Sequence, residues 1–283
     1  MIERPAWIPR PLSSYHPLLY HLALGFRRVE RRLAWLTDGH RYAHRRLPDN
    51  LALRVKKHQS VLIRKLGDAD IELQHNKVDN LRIVIDELDG LIIGPGETFS
   101  FCKSVGKPTR SRGFKKGMEL VRGKPRAGVG GGICQASNLI FWLALHSPLV
   151  VVERHHHSFD PFPDQGRVLP FASGATVMYN HRDLRLYNPT DQSFQLRLWF
   201  DKKCLNGEFR CERYLPYSYS IFERQHRFEK RGEQWRRCNQ LWRRVIDKGN
   251  GGRTLRNDFL FANDAWVRYQ PSLRDLAKTS SLD

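Results

Sequence analysis

The chain reads as an α+β protein: an antiparallel sheet packed on a buried helix that starts at a Gly-rich turn, with basic helical flanks. Three observations predict this class. Ala175–Tyr179, Leu184–Tyr187 and Phe194–Phe200 alternate apolar and polar residues at period two, the pattern of half-buried strands. Asn188-Pro-Thr-Asp191 carries turn residues between the last two and is expected to join them as a hairpin. The run from Ile133 to His146 is strongly apolar and ends at Ser147-Pro148, as a buried helix would.

The remaining elements follow in chain order. Leu18, Leu22, Phe26, Val29, Leu33 and Leu36 recur at helical spacing and predict an amphipathic helix over about residues 15–36. Arg27, Arg28, Arg31 and Arg32 crowd its other faces. The expected arrangement packs the apolar stripe on the main domain and leaves the basic face to solvent; the alternative is a helix lying on a membrane surface. A second basic, helix-prone stretch runs from Leu47 to Leu66. Asp79 or Asn80 can cap a helix over Leu81–Leu88, and Gly90 stands where a C-terminal glycine would. Leu91–Ile93 reads as a buried strand, Gly94-Pro95-Gly96 as a turn and Thr98–Phe101 as a strand with Phe99 and Phe101 in the core. Lys103–Gly132 is loop-rich. Leu149–Val152 is a short β-branched run, followed by Glu153-Arg-His-His-His157, and Gly207 is expected to turn into one more strand. Arg236, Arg237, Arg243 and Arg244 interleave with Trp235, Leu241, Trp242 and Val245, which predicts a helix over 222–247, and a frayed tail is expected after Pro271. The expected organisation is a basic helical region at 1–78, a central domain at 79–215 and a basic appendage at 216–283.

Composition bounds the function. The 283 residues hold 48 Lys and Arg against 29 Asp and Glu, a net charge of +19, with 40% hydrophobic residues. Such a surface calls for an anionic partner, whether nucleic acid, lipid or an acidic polymer. The excess is concentrated at the ends: residues 1–57 carry 12 basic against 4 acidic side chains, and residues 213–283 carry 15 against 8. Charge therefore reads as a localisation device. Nucleic acid rests on charge alone and is the least favoured partner. The N-terminal 28 residues contain no continuous apolar stretch of the kind a signal peptide or membrane span needs, so a cytoplasmic protein, peripheral at the inner face of the membrane, is expected. Cys102, Cys134, Cys204, Cys211 and Cys238 are odd in number and irregularly spaced, which excludes a disulfide framework, and no CxxC pair is present for a zinc ribbon.

GVGGGICQASN is the segment most able to carry chemistry. Gly130, Gly131 and Gly132 allow backbone conformations closed to other residues and can turn amides toward an anion. Cys134 follows in the first helical turn, where the helix dipole favours a thiolate. Ser137 and Asn138 project on the same face one turn later, and Gln135 lies beside the turn. A nucleophile with nearby oxyanion donors is the equipment of a cysteine acyl-transfer enzyme. The matching base would be one of His155, His156 and His157, oriented by Asp160 or Asp164. Two of these histidines with Cys134 could instead hold zinc, and the plain alternative is a structural cysteine at a glycine-hinged helix start. The glycine run is neither a Walker loop nor a dinucleotide fingerprint, so no cofactor is expected.

The succession GPGETFSFCKSVGKPT, GVGGGICQASNLIFW, VVERHHHSFDPFPDQGRVLPFASGATVMYN and DLRLYNPTDQSFQLRLWF resembles the VanW family over about residues 80–213. The N-terminal YHPLLYHL and the basic helix after it resemble short, stand-alone members. The resemblance implies a link to B-type vancomycin resistance. Through surface-anchored members regarded as L,D-transpeptidases, it also implies a reacting cysteine, which would be Cys134. The leading expectation is a cysteine acyl-transferase acting on peptidoglycan or its precursors. Its rivals are a non-catalytic envelope-binding or accessory protein and a basic nucleic-acid-binding protein.

Overall fold

The computed structural model describes residues 16–63, 71–121, 124–160, 163 and 168–277. Its centre is α4 (Cys134–Leu145), whose Leu139, Ile140, Phe141 and Leu143 are at most 2% exposed. Each such side chain contributes about 2 kcal/mol when taken fully out of water. Against it stands the sheet β2-β11-β10-β3, made of Leu53–Val61, Cys204–Cys211, Phe194–Phe200 and Ile92–Ile93, with antiparallel pairing throughout. A second sheet orders β1 (Arg41–Tyr42), β4 (Glu97–Ser100), β9 (Arg185–Tyr187) and β7 (Val150–Glu153). Helix α2 (Ile71–Leu88) adds Leu81, Val84 and Leu88 to the same core. This is the expected α+β class, with the helix beginning at the glycine turn buried as its composition requires.

Gly207 does not turn the chain; it lies inside β11. A Cβ there would stand 3.0–3.1 Å from Leu139, Leu198 and Leu143, so the missing side chain is what lets α4 settle onto the strand. The Asn188–Asp191 turn forms, but β9 and β10 belong to different sheets and make no hairpin. Asn188 is fully buried and donates through Nδ2 to the carbonyls of Ile93 and Gln192, which routes the chain from one sheet to the other.

Four further expectations are corrected. The stretch 47–66 is no helix where described: it holds β2, because pairing along β11 overrides the helix propensity of its Arg, Lys and Leu residues. Residues 222–247 are not helical either. They form most of β12 (Tyr217–Arg231) and β13 (Gln234–Asp247), which continue into β14 (Arg253–Val267) as a meander, with β8 (Phe159–Asp160) added in parallel. Register shifts at Arg224/Arg227, Leu241/Trp242 and Val245/Ile246 break the period-two pattern, which left the apolar residues at apparently helical spacing. Ala175–Tyr179 is not a ladder strand: its main chain bonds to side chains of α4, to the His155 carbonyl and, in an isolated bridge, to Arg182. The loop-rich stretch contains α3 (Phe101–Val105) and a hairpin of β5 (Lys116–Val121) and β6 (Lys124–Val129).

The expected boundary at 78/79 falls inside α2, and β1 and β2 are strands of the two central sheets rather than parts of a separate flank. The meander begins at Tyr217, and its Ile221, Leu260 and Phe261 pack against the core. Helix α1 (Pro17–Thr37) forms with His16 as its cap, but its orientation is the reverse of the expected one. Leu18, Leu22, Phe26, Val29, Leu33 and Leu36 are 54–80% exposed, while Arg28 and Arg31 on the other side face the protein. The reason is electrostatic: Arg31 meets Glu153 in a bidentate pair at 2.6 and 2.7 Å, and the Arg28 carbonyl accepts from Asn180.

Candidate functional site

Cys134 opens α4 directly after the glycine turn. It is half-buried, whereas the other four cysteines are buried, and all five are free thiols. Its Sγ donates to the Val177 carbonyl at 3.5 Å. Burial pushes the thiol up from its ordinary pKa, so the resting group is protonated despite its place at the helix start. The expected thiolate is corrected accordingly.

The glycines serve packing first. Gly130 and Gly132 have φ of 79° and 93°. A Cβ on Gly131 would overlap the Gly117 carbonyl of β5, and one on Gly132 would overlap Lys77 of α2. The Gly130 amide donates to Lys115 and the Gly131 amide to Gly128, so neither is left for an oxyanion. Asn80, which the sequence offered as a helix cap, is fully buried within α2 and locks this crossing. Its Nδ2 donates to Lys115 and Gly131 carbonyls and its Oδ1 accepts from the Lys115 amide.

The side chains after Cys134 are engaged in the same way. Gln135 donates to Ser60 Oγ at 2.9 Å and the Val61 carbonyl at 2.8 Å, tying α4 to β2. Ser137 donates to the Ala175 carbonyl at 2.6 Å, and Asn138 Oδ1 accepts from the Ala175 amide at 2.7 Å. On the other edge of this segment, the Thr176 amide donates to the His155 carbonyl at 2.7 Å. Ala175–Val177 therefore runs between α4 and the segment after β7, bonding to α4 through the Ala175 amide and the Ala175 and Val177 carbonyls and to His155 through the Thr176 amide. It brings Cys134 and His155 to one neighbourhood while standing between them.

The histidines have other partners. His155 Nε2 donates to Glu153 Oε1 at 3.0 Å. Glu153 also pairs with Arg31 and accepts from the Asp183 amide. Burial raises the Glu153 pKa, but His155 and Arg31 outweigh it and leave the carboxyl at about 2. His156 Nδ1 bonds the His157 carbonyl, and the ring lines a cleft of about 320 Å³ with Arg227, Asn239 and Asp264 of the meander. Burial holds both His156 and His157 below the ordinary imidazole value. Asp160 lies in β8. It is 5% exposed and accepts from Arg237 and Tyr269, each at 3.1 Å, inside the C-terminal sheet. Asp164 lies outside the described residues. The zinc alternative finds no donor set, since no group of three His, Cys, Asp or Glu side chains is placed to hold a metal among the described residues.

Sequence reasoning missed Glu153 as the carboxylate of this cluster. The signal was present, because Glu153 and His155 are two apart and so share a face of an extended chain. Arg31, 122 residues away, left no such signal.

Residues 76–210, which hold the core, the glycine-hinged start of α4 and the histidine segment, match the family model described as VanW like protein. Among curated proteins, the chain is 35% identical over 152 residues to the vancomycin B-type resistance protein VanW of Enterococcus faecalis, covering 54% of this chain and 55% of that protein. It is 34% identical over 119 residues to the uncharacterized protein YoaR of Bacillus subtilis, covering 42% of this chain and 37% of that one. The chain thus spans about half or less of the curated relatives it matches. No solved structure gives a significant match. No helix among the described residues is long and apolar enough to cross a membrane.

Proposed function

We propose that this protein is a VanW-family envelope component, linked like its enterococcal relative to vancomycin resistance, that binds peptidoglycan peptides or their precursors without forming an acyl-enzyme. One observation carries this reading. Most of the side chains and turn amides a cysteine acyl-transferase would use are committed to the fold: Ser137 and Asn138 hold Ala175, Gln135 holds β2, Gly130 and Gly131 spend their amides in the turn, and His155 donates to Glu153. The Cys134 thiol is itself bonded to a carbonyl and held protonated by burial.

The experiment compares wild type with Cys134→Ser against soluble cell-wall peptides, measuring binding by calorimetry and covalent adducts by intact mass. Equal binding with no adduct is expected. A peptide-mass adduct on Cys134, or absence of binding to wall peptides by both proteins, overturns the reading.

The adduct would establish the second reading, a transpeptidase-like cysteine acyl-transferase. It is favoured by the position of Cys134, the one half-buried cysteine of five, in the first turn of α4. In that mechanism one of His155–His157 takes the thiol proton, Cys134 attacks a peptide carbonyl, the C–N bond breaks as the imidazolium gives that proton to the leaving amine, and the acyl group of the thioester passes to an acceptor amine or to water. It requires the Ala175–Val177 segment to move, because that segment now occupies the thiol.

A further inference from the structure

We infer that the outward face of α1 is a docking surface for an anionic lipid bilayer. Leu18, Leu22, Phe26, Val29, Leu33 and Leu36 fall within an arc of about 80° on the helix, given about 100° per residue. They run along all 21 residues of α1 and are all turned away from the protein, the least exposed being Val29 at 54% and the most exposed Leu36 at 80%. A soluble domain hides such a stripe against its core; here the half-buried residues of the helix are Leu24, Gly25, Arg28, Arg31, Ala34 and Trp35, none of them from the stripe.

That inversion is held in place. Arg31 is 18% exposed in its bidentate pair with Glu153, Asn180 bonds the Arg28 carbonyl, and Lys103 stacks its ammonium 5.5 Å from the Trp35 ring. The body of the protein thus grips the helix through Arg31, the Arg28 carbonyl and Trp35 and presents the apolar stripe outward, as a surface-bound helix requires. Exposed Arg32 lies beside the stripe, and Arg27 lies on the far flank paired with Glu30.

Three considerations select lipid as the occupant. An apolar stripe needs an apolar acceptor, which acyl chains supply and a glycan strand does not. The protein carries +19 in all and 12 basic against 4 acidic residues over 1–57, which draws it to anionic headgroups and repels a second copy. Finally, positions 18–36 span fewer than three heptads, short of the three to four that a stable coiled coil between copies sustains. The proposal goes beyond binding of wall peptides and does not depend on it.

The test is cosedimentation of the full-length protein with vesicles of equimolar phosphatidylglycerol and phosphatidylcholine, against vesicles of phosphatidylcholine alone. The double variant Phe26→Glu/Leu33→Glu changes only outward-facing side chains, and circular dichroism checks that its fold is kept. Wild type is expected to bind the anionic vesicles, more weakly in high salt, and the variant to bind at least tenfold more weakly. No binding by wild type, or equal binding by the variant, overturns the inference. So does a dimer in sedimentation that the variant abolishes without any vesicle binding, which would make the face an interface between copies. The vesicles contain no wall material, so failure here leaves the wall-peptide reading untouched.

Discussion

Replacing Glu153 by Gln removes the charge that joins α1, His155 and Asp183 while keeping the side chain's shape. The magnitude follows from its acidity. The carboxyl falls from an ordinary 4.5 to about 2 although it is only 16% exposed. At roughly 1.4 kcal/mol for each tenfold in proton affinity, the difference of about 2.5 amounts to about 3 kcal/mol. The amide of Gln can still accept a hydrogen bond, so a loss of about 2–3 kcal/mol is expected. Because the folded carboxyl is more acidic than the unfolded one, its contribution is complete above about pH 4.5. It is lost as pH falls through the folded value near 2. Urea unfolding followed by tryptophan fluorescence at neutral pH, repeated across the acid range, measures both. The gap between wild type and Glu153→Gln should close between pH 4.5 and 2. An unchanged midpoint at neutral pH, or a gap that persists at the acid end, would refute the reasoning.

Other outcomes follow from the same structure. Burial lowers His146 from 6.5 to about 4, so its neutral form stabilises the fold above pH 6.5 and that contribution is lost as pH falls toward 4; His146→Gln should flatten wild-type stability across that window. Gly131→Ala should cost more than about 3 kcal/mol or yield insoluble protein, since its Cβ meets the Gly117 carbonyl. Gly96→Ala, at φ 70° with open space around it, should cost only about 1 kcal/mol, both measured by urea unfolding. Asp160→Ala removes the carboxylate that accepts from Arg237, 4% exposed, and from Tyr269, and thermal unfolding should show a lowered midpoint.

Much of the fold is legible from local pattern. The buried helix after the glycine run, the strands at 194–200 and 92–93, the Gly90 stop and the α1 helix all follow from periodicity and turn chemistry. Reading failed where a long-range partner decides. Strand β2 carries helix-forming residues but is claimed by β11, and the meander's bulges disguise its period. The candidate site divides in the same way. Cys134 at the helix start is visible in the sequence, as is the His155–His157 cluster. The commitment of Ser137, Asn138 and Gln135 to the scaffold is not, because Ala175 and Val61 lie 38 and 74 residues away from the side chains they bond.

By itself, the sequence determines that residues 17–37 form an amphipathic helix with one apolar and one basic side, since that depends only on spacing. Which side faces the protein was decided by tertiary structure. Glu153 and Asn180 offer ion-pair and hydrogen-bond partners to the polar side, and among the described residues no apolar surface receives the other. The same holds for Cys134: position on the helix is local, but protonation follows from burial and from the Val177 carbonyl, which only the folded chain supplies.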